Sequence, residues 1–422
     1  MNGIGVDLCP HCDPYPNKSN HMPERLKRVF LSPIFAFIGL LENSAAHFPR
    51  FRKTLNNFIG NNLFKGLLAV GILREVEVDD LDGGLYNRSL VVAREARRRE
   101  IKVKAIKFLG MEGTNNFSIE WAGTKSFFEG LPHLTIGYTS TVDFDDKGVF
   151  KKLLMENNLP HARGGTFKDY EPALRYVRIS IGFPVVVKPR SGSLSKHTSC
   201  NVRNEDELRE AIVIVKIISA EFIVEEFITG EVYRITLVGN KVAASCLRES
   251  PNVTGDGVHC IKELVELKNK DPRRGPIHKR NFTLHEIPIS NRTISVLASQ
   301  NLTLSSIPAN GKKTYLHDKV ILGCGADIHD TTDITHPDTA SLFKKTGALC
   351  VAPVIGIDFI SPDISRSYRG QKCAILEANS LPYIDMHHYP ITGEARNVAG
   401  AVLDHWISSQ PSLNLSNAPS RP

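Results

Sequence analysis

The sequence predicts an α+β protein, in which antiparallel strands are separated by helices along the chain. A hairpin is predicted where the apolar segments 232–238 and 241–247 flank a Gly-Asn turn. Two further short strands, 354–360 and 372–379, follow near the end of the chain. A helix is predicted over 145–156, where acidic residues begin a segment with a single apolar stripe. Because strand patterns and helix patterns both recur along the chain, we predict the α+β class.

The first part of the chain divides into two segments with different patterns. Residues 1–65 contain eight basic and four acidic residues and form a basic N-terminal extension. Such an arm could touch a membrane surface or an acidic partner, but a solvated extension is the simpler interpretation. Residues 66–145 predict a small α/β domain, with a helix over 85–99 and a half-exposed strand over 101–108. At the other end, the Ser-, Asn- and Pro-rich residues 409–422 predict a disordered tail.

The middle of the chain contains a strand, a loop and a helix in succession. Residues 182–189 form a β-branched strand, and a loop rich in serine and glycine follows over 190–199. A capping-box pattern over 204–207 then opens a helix. The next strand covers 222–230 and ends at a glycine turn.

Composition excludes several classes of protein. The chain has 422 residues, a net charge of +7, 41% hydrophobic and 23% charged residues, as in globular proteins of two or three domains. The longest apolar stretch, 29–41, is interrupted by Pro33 and is shorter than the roughly 18 residues that a membrane span needs. We therefore predict neither a transmembrane segment nor a signal peptide. Cys9 and Cys12 form an isolated CxxC without a second pair for zinc, and the eight cysteines indicate no disulfide framework, so we predict a cytoplasmic protein.

Three polar side chains on the two late strands predict a metal site. Glu377 and Asn379 share a face because alternate residues of a strand point the same way. Asp358 lies on the other strand, and all three are surrounded by apolar residues. Buried acids need a partner, and an all-oxygen cluster suits Mg²⁺ bound together with phosphates. The sequence thus predicts metal ligation by Asp358, Glu377 and Asn379.

Basic residues upstream predict contacts to phosphate. Lys188 ends an otherwise apolar strand, and its long side chain could reach an α- or β-phosphate. The loop that follows supplies backbone N–H groups and hydroxyls, and we assign Ser193 to this contact. Arg234 and Arg248 lie on the two strands of the predicted hairpin and could offset the charge of a transferring phosphoryl group.

The end of strand 222–230 predicts contacts to adenine and ribose. Glu225 and Glu226 could accept hydrogen bonds, as could the backbone near Phe227 and Ile228, and the Phe227 ring could pack nearby. Each of these features also has an ordinary structural explanation, since a Glu-Glu pair often marks a strand edge and a strand-end lysine is often exposed. The familiar nucleotide and hydrolase signatures GxxxxGK[ST], GxGxxG, HExxH and GxSxG are all missing from the sequence.

Several longer strings in the second half resemble the ATP-grasp superfamily, and within it the ATP-grasp half of cyanophycin synthetases. The resemblance extends from about residue 114 to about residue 407. It is strongest in residues 252–259, 269–275, 330–338, 356–365 and 377–379, and in Met386, His387, Pro390, Gly393 and Arg396.

The resemblance implies an ATP-grasp fold, in which two α+β subdomains clasp ATP after a small domain like those that precede ATP-grasp domains. The ATP-grasp domain would cover 146–408, with a lid subdomain at about 166–230 and an irregular insertion at about 265–315. Lys147 and Lys188 look like the two lysines that contact phosphate. Residues 225–228 look like the adenine hinge.

The resemblance also implies the chemistry. Arg234 and Arg248 look like the catalytic phosphate arginines, and Asp358, Glu377 and Asn379 look like the magnesium ligands. Such enzymes activate a carboxylate as an acyl phosphate, which an amine attacks to form an amide. The cofactors implied are ATP and Mg²⁺, for which Mn²⁺ could substitute.

The chain departs from the family at four points. The loop 194–197 is poorer in glycine, and the ribose-binding acid aligns with Val232, so that Glu231 would have to substitute for it. A family Arg-Asp-Asn-Ala-Asn stretch reads His-Asp-Lys-Val-Ile at 317–321. The second, Mur-ligase-like half of cyanophycin synthetases is not found in the sequence, so we expect one ligation rather than two.

These observations lead to one hypothesis and two alternatives. The hypothesis is an ATP- and Mg²⁺-dependent carboxylate–amine ligase that acts on an amino acid or a peptide. One alternative is a regulatory or scaffold protein that binds nucleotide with little turnover, and the other is an enzyme that phosphorylates its substrate without ligation. We expect small-molecule substrates and no nucleic-acid partner, and we leave a homo-oligomer open.

Overall fold

The structure is a computed structural model, and it describes residues 65–78, 84–108, 113–132, 143–191, 195–276 and 279–410. The basic extension before Lys65, with Cys9 and Cys12, lies outside the described residues, as do Ser193 and the tail after Gln410. In the part of the chain that is described, no helix has the length and apolar character needed to cross a membrane.

The first described unit is a four-stranded antiparallel sheet with one helix. Its elements are β1 (Leu73–Glu77), α1 (Asn87–Arg98), β2 (Lys102–Phe108), β3 (Asn116–Trp121) and β4 (Thr124–Glu129). The predicted helix and the predicted half-exposed strand are α1 and β2. The expectation of an α/β unit is wrong, because all three strand pairings are antiparallel. The prediction missed the β3–β4 hairpin, whose tight turn is made by Ala122 and Gly123, both with positive φ.

The second unit is also a four-stranded antiparallel sheet, and it contains the predicted phosphate loop. Its elements are α2 (Lys147–Glu156), β5 (Gly164–Phe167), α3 (Tyr170–Tyr176), β6 (Val185–Pro189), β7 (Ser199–Val202), α4 (Glu205–Lys216) and β8 (Phe222–Glu226). The strand order is β5-β8-β6-β7, so β8 lies between β5 and β6. Asp146 caps α2 by accepting hydrogen bonds from the Gly148 and Val149 amides at 2.8 and 3.0 Å, as the acidic start of the predicted helix indicates.

The remaining elements build the central sheet and a small subdomain inserted into it. They are β9 (Glu231–Val238), β10 (Lys241–Glu249), β11 (Asn252–Thr254), α5 (Ile261–Asn269), β12 (Arg274–Gly275), β13 (Leu284–His285), α6 (Asn291–Ser299), β14 (Lys313–Tyr315), β15 (Asp327–Asp330), α7 (Pro337–Cys350), β16 (Val354–Ser361), β17 (Ala374–Asn379) and α8 (Val398–Ser408). The central sheet has the order β15-β10-β9-β16-β17, with antiparallel neighbours throughout.

The predicted β9–β10 hairpin is present. Gly239 and Asn240 form its two-residue turn with φ angles of 53° and 62°. Both residues therefore occupy the left-handed region that a type I′ turn requires and that glycine and asparagine tolerate best.

The segment 265–315 is more ordered than the expected irregular insertion. It contains most of α5 and the whole of α6, which pack around a separate apolar cluster that includes Ile261, Val265 and Leu297. The start of α6 was missed because Ser290 forms its capping box with Thr293, whereas the usual partner three residues on is Glu or Gln.

The largest apolar core joins the first unit to the central sheet. Val92 of α1 and Phe117 of β3 pack in one cluster with Leu403 and Trp406 of α8. The ring centroids of Phe128 and Trp406 are 5.5 Å apart and nearly perpendicular. The C-terminal helix therefore completes the core of the N-terminal sheet.

Candidate functional site

One face of the central sheet carries a row of polar side chains that crosses all five strands. From β15 to β17 the row contains Asp330, Cys246, Arg234, Asp358 and Glu377. Directly opposed residues of antiparallel strands point to the same face, so these side chains are neighbours. Burial raises the pKa of the Cys246 thiol to about 12, so the thiol in the middle of the row stays neutral.

The three predicted metal ligands meet at one end of this row. Asp358 lies directly opposite Glu377, and Asn379 follows two residues later, opposite Gly356. The Nδ2 atom of Asn379 is buried without a hydrogen-bond partner. The Lys147 ammonium lies 3.2 Å from Glu377 Oε2, so the predicted phosphate lysine at the start of α2 reaches the same place. The structure thus brings together residues that lie more than two hundred positions apart in sequence.

Asp358 is held in its charged form by the two predicted catalytic arginines. Arg234 donates to it through Nε at 2.5 Å and through Nη2 at 3.1 Å, and Arg248 Nη2 lies 3.0 Å from Oδ2. Burial alone would raise the pKa of Asp358, but the two guanidinium groups outweigh burial and hold it below its usual value. Arg234 Nη1 and Arg248 Nε remain buried without a partner. Each arginine therefore keeps one donor for an anion that binds beside Asp358.

The second predicted phosphate lysine belongs to a buried ion triad. Glu225 accepts from Lys188 at 2.5 Å and from Lys151 at 2.6 Å. Burial would raise the pKa of Glu225, but the two ammonium groups lower it overall, so the side chain is a carboxylate. The sequence analysis missed Lys151, although it follows Lys147 by one helical turn and therefore lies on the same face of α2. That spacing was the available signal.

The predicted adenine hinge is partly occupied by protein contacts. Arg163 donates to Glu226 from its backbone amide at 3.0 Å and from its guanidinium at 3.2 and 3.3 Å. Both carboxylates of the Glu225–Glu226 pair are thus engaged by cations. Phe227 is half-buried and its amide donates to Pro184, while Ile228 is buried.

The other predicted contacts can be placed only in part. Glu231 opens β9 opposite Ser361 and is exposed, and Ser193 belongs to a part of the phosphate loop that is not described. The loop begins close to α2, because Arg190 Nε lies 2.8 Å from Asp146 Oδ2 and the Arg190 carbonyl accepts from the Lys147 amide. The start of the loop and the start of α2 are therefore held together.

A second group of acids lies at the other end of the sheet. Glu249, Asp327 and His329 are close enough to share an ion. However, Lys313 donates to both oxygens of Glu249 at 2.6 and 2.8 Å, and Lys268 and Arg274 pair with Asp327. Glu249 and Asp327 are thus paired with the protein's own cations, and the group lies outside the site that the sequence predicts.

Comparisons with known proteins agree with this fold. No protein-family model matches the chain. The chain is 32% identical over 341 residues to a cyanophycin synthetase from Trichormus variabilis, covering 80% of this chain and 37% of the relative. It is 30% identical over 269 residues to the glutathione biosynthesis bifunctional protein GshAB of Clostridium perfringens, covering 63% of this chain and 34% of the relative.

A crystal structure also shares the fold. A bifunctional glutathione synthetase from Pasteurella multocida superposes with a TM-score of 0.58 and 24% identity, covering 78% of this chain and 45% of that chain. The chain is an ATP-grasp superfamily protein, and its fold agrees with that assignment. Within the superfamily it is related to the ATP-grasp region of cyanophycin synthetases, although it spans little more than a third of the length of the curated relatives.

Proposed function

We propose that the protein is an ATP- and Mg²⁺-dependent ligase that joins the carboxylate of an amino acid or peptide to an amine. The observation that carries the proposal is the convergence of Asp358, Glu377 and Asn379 with Arg234 and Lys147 on one face of the central sheet. A ligase of this kind transfers the γ-phosphoryl group of ATP to the carboxylate and releases ADP. The amine then displaces phosphate from the acyl phosphate and forms the amide.

The residues present fit a divalent metal ion. Asp358, Glu377 and Asn379 lie together at one end of the sheet and offer oxygen ligands, which Mg²⁺ prefers. When bound, Mg²⁺ would neutralise phosphate charge during the transfer, and Mn²⁺ could substitute for it. The proposal implies the cytoplasm, where ATP and Mg²⁺ are available.

The chain's own cations have distinct roles in this proposal. Arg234 and Arg248 keep one free donor each beside Asp358. Arg248 Nε would stabilise charge on the transferring phosphoryl group, and Arg234 Nη1 would bind the carboxylate that receives it. Lys147 and Lys188 would bind the phosphates from the α2 and β6 sides. The backbone next to Phe227 would hold the base, since the neighbouring carboxylates are engaged by cations.

The proposal is tested by ADP release and by product mass. Purified protein is incubated with ATP, Mg²⁺ and the twenty amino acids, and products are screened for a loss of water that accompanies ADP. We expect Glu377→Gln to lower ADP release by about 100-fold or more, because one metal ligand loses its charge. Glu394→Gln is the matched control, since this acid is 77% exposed. Equal rates for Glu377→Gln and the wild type would contradict the proposal.

The same experiment separates the alternatives. The substituted ribose position at Val232 favours the regulatory interpretation, which predicts tight ATP binding by calorimetry and no phosphate release with any acceptor. A phosphorylated product without condensation would identify the third alternative.

A further inference from the structure

Besides Asn379 Nδ2 and Arg248 Nε, three polar atoms of buried side chains near the metal ligands have no partner. These atoms are Asp385 Oδ1, His387 Nδ1 and Arg234 Nη1. Asp385 and His387 belong to the short 3₁₀ turn Ile384–His387 that follows β17, and their exposures are 5% and 2%. A buried polar atom without a hydrogen bond is costly, so its presence needs an explanation.

The contacts of these residues bring them to the same part of the sheet. His387 Nε2 lies 2.8 Å from Thr236 Oγ1, and Thr236 is directly opposite Gly356. Arg234 lies over the same glycine, since a Cβ added at Gly356 would come within 3.1 Å of Arg234 Nη1. The Asp385 carboxylate is near enough to Arg234 for the guanidinium to lower its pKa, although burial raises the pKa of Asp385 overall.

Asp385 is held in place by hydrogen bonds from the inserted segment and α1. Thr283 Oγ1 donates to Asp385 Oδ2 at 2.5 Å, and Asn87 in turn donates to Thr283. This relay leaves Oδ1 as the unsatisfied oxygen. Its orientation is therefore set by the protein before any ligand arrives.

No described cation supplies the missing donor to Asp385. Arg88 influences the carboxylate, but its Nη1 donates to the Leu381 carbonyl and its guanidinium lies 4.9 Å from the centroid of the Tyr383 ring. Arg234 is paired with Asp358 and keeps only Nη1. The region thus offers an oxygen that needs a donor and a guanidinium N–H that needs an acceptor.

An amino acid with a free ammonium group satisfies both needs. We propose that Asp385 binds the ammonium group of the substrate whose carboxylate is activated, while Arg234 Nη1 holds that carboxylate. Arg234 lies directly opposite Asp358, so the bound carboxylate would lie beside the metal ligands, where the phosphoryl group is transferred. The activated substrate is then a free amino acid or a peptide with its ammonium group close to the reacting carboxylate, and N-acylated acids are excluded. This inference rests on the proposed ligase function.

The test measures binding apart from turnover. The wild type is bound to a non-hydrolysable ATP analogue with Mg²⁺, and its melting temperature is recorded with the twenty amino acids or with their N-acetyl derivatives. We expect the free amino acids to raise Tm by about 2 °C or more and the N-acetyl derivatives to have no effect. Asp385→Asn keeps the contact with Thr283 but loses the charge, and should abolish the rise while retaining the shift caused by the nucleotide.

Control variants keep the result unambiguous. Asp404→Asn changes an acid whose side chain is 70% exposed and should respond like the wild type. Thr283→Val removes the hydrogen-bond donor of Asp385 and should reduce the rise in Tm caused by free amino acids. This variant provides the test if Asp385→Asn does not fold. The inference is overturned if Asp385→Asn keeps the full rise, if N-acetyl derivatives act equally, or if free amino acids have no effect on the wild type.

A parallel measurement separates this inference from the ligase proposal. ADP release is recorded with ATP in the same samples. An Asp385-dependent rise in Tm without ADP release would support the subsite and count against the ligase. ADP release without an Asp385-dependent rise in Tm would support the ligase and count against the subsite.

Discussion

The carboxylate of Glu225 is shared by two lysines that come from different elements. Lys151 of α2 and Lys188 of β6 both contact it, and the Lys151 side chain also donates to the Ala162 carbonyl at 2.6 Å. Burial lowers the pKa of Lys151 against the pull of Glu225. One acid between two cations leaves an excess of positive charge near the phosphate loop. Because Lys151 shares the charge of Glu225, Lys188 is attracted to Glu225 less strongly than it would be without Lys151.

We predict that Lys151→Met weakens ATP binding without changing the fold. With Lys151 gone, the full charge of Glu225 acts on Lys188 and holds it away from a phosphate. We expect the Kd for ATP to rise about tenfold by calorimetry, equivalent to about 1.4 kcal/mol. Lys152→Met is the matched control, because this neighbouring lysine is 76% exposed. Unchanged affinity in Lys151→Met would show that the triad is structural only.

Individual site residues were predictable to different degrees. The alternation of Glu377 and Asn379 is a local property of one strand, so their common face could be derived from the sequence. The pairing of Asp358 with Glu377 needed the register of two strands and is present. The engagement of Glu226 by Arg163 could not be derived, because it depends on the pairing of β5 with β8 across many residues.

At the scale of elements, the sequence predicted helices and hairpins correctly where the residues of a turn or cap strongly prefer that position. The Gly239–Asn240 turn and the acidic start of α2 gave correct predictions, since each depends on a few adjacent residues. The β3–β4 hairpin and α6 were missed because Ala122 and Thr293 are unusual choices for a turn and a cap. In those places the tertiary packing compensates for a weak local preference.

The turn between β17 and α8 should make stability depend on pH. Burial lowers the pKa of His388 to about 4, and its Nε2 accepts a hydrogen bond from the Ala399 amide at 3.1 Å. The unfolded chain protonates this ring near pH 6.5, so stability is present above that pH and is lost as pH falls towards 4. We expect a loss of about 2 kcal/mol in the free energy of unfolding between pH 7 and pH 5 from this group.

The measurement is a set of urea denaturation curves across that pH range. His388→Gln keeps an acceptor for the Ala399 amide but cannot be protonated, so its stability should change less with pH than that of the wild type. Parallel pH dependences for the two proteins would mean that His388 does not titrate as described.

At the scale of the whole molecule, the N-terminal sheet and the central sheet are not separable modules. The apolar core of the first unit includes Leu403 and Trp406, and it continues into Val238 and Val354 of the central sheet. Sequence patterns carry no signal for contacts between segments some three hundred residues apart. The joint core therefore became visible only in the structure.

We predict that Trp406→Ala destabilises the entire chain. Trp406 is 7% exposed and packs against Phe128, so its removal should cost about 3–5 kcal/mol by urea denaturation. Amide hydrogen exchange in β3 and β4 should accelerate together with that in α8. Val213→Ala is the control, since this residue is 64% exposed on α4 and should change stability little. Faster exchange confined to α8 would show that the two regions are independent.

The joint core also dictates the order of events during synthesis. The apolar side of α1 and the Phe117 side of the N-terminal sheet emerge from the ribosome well before the helix that covers them, which is the last described element of the chain. Contacts of such long range close slowly, because the intervening polypeptide must first be brought together. The nascent protein therefore carries an uncovered apolar surface while the intervening residues are translated, and its yield should depend on chaperone capacity.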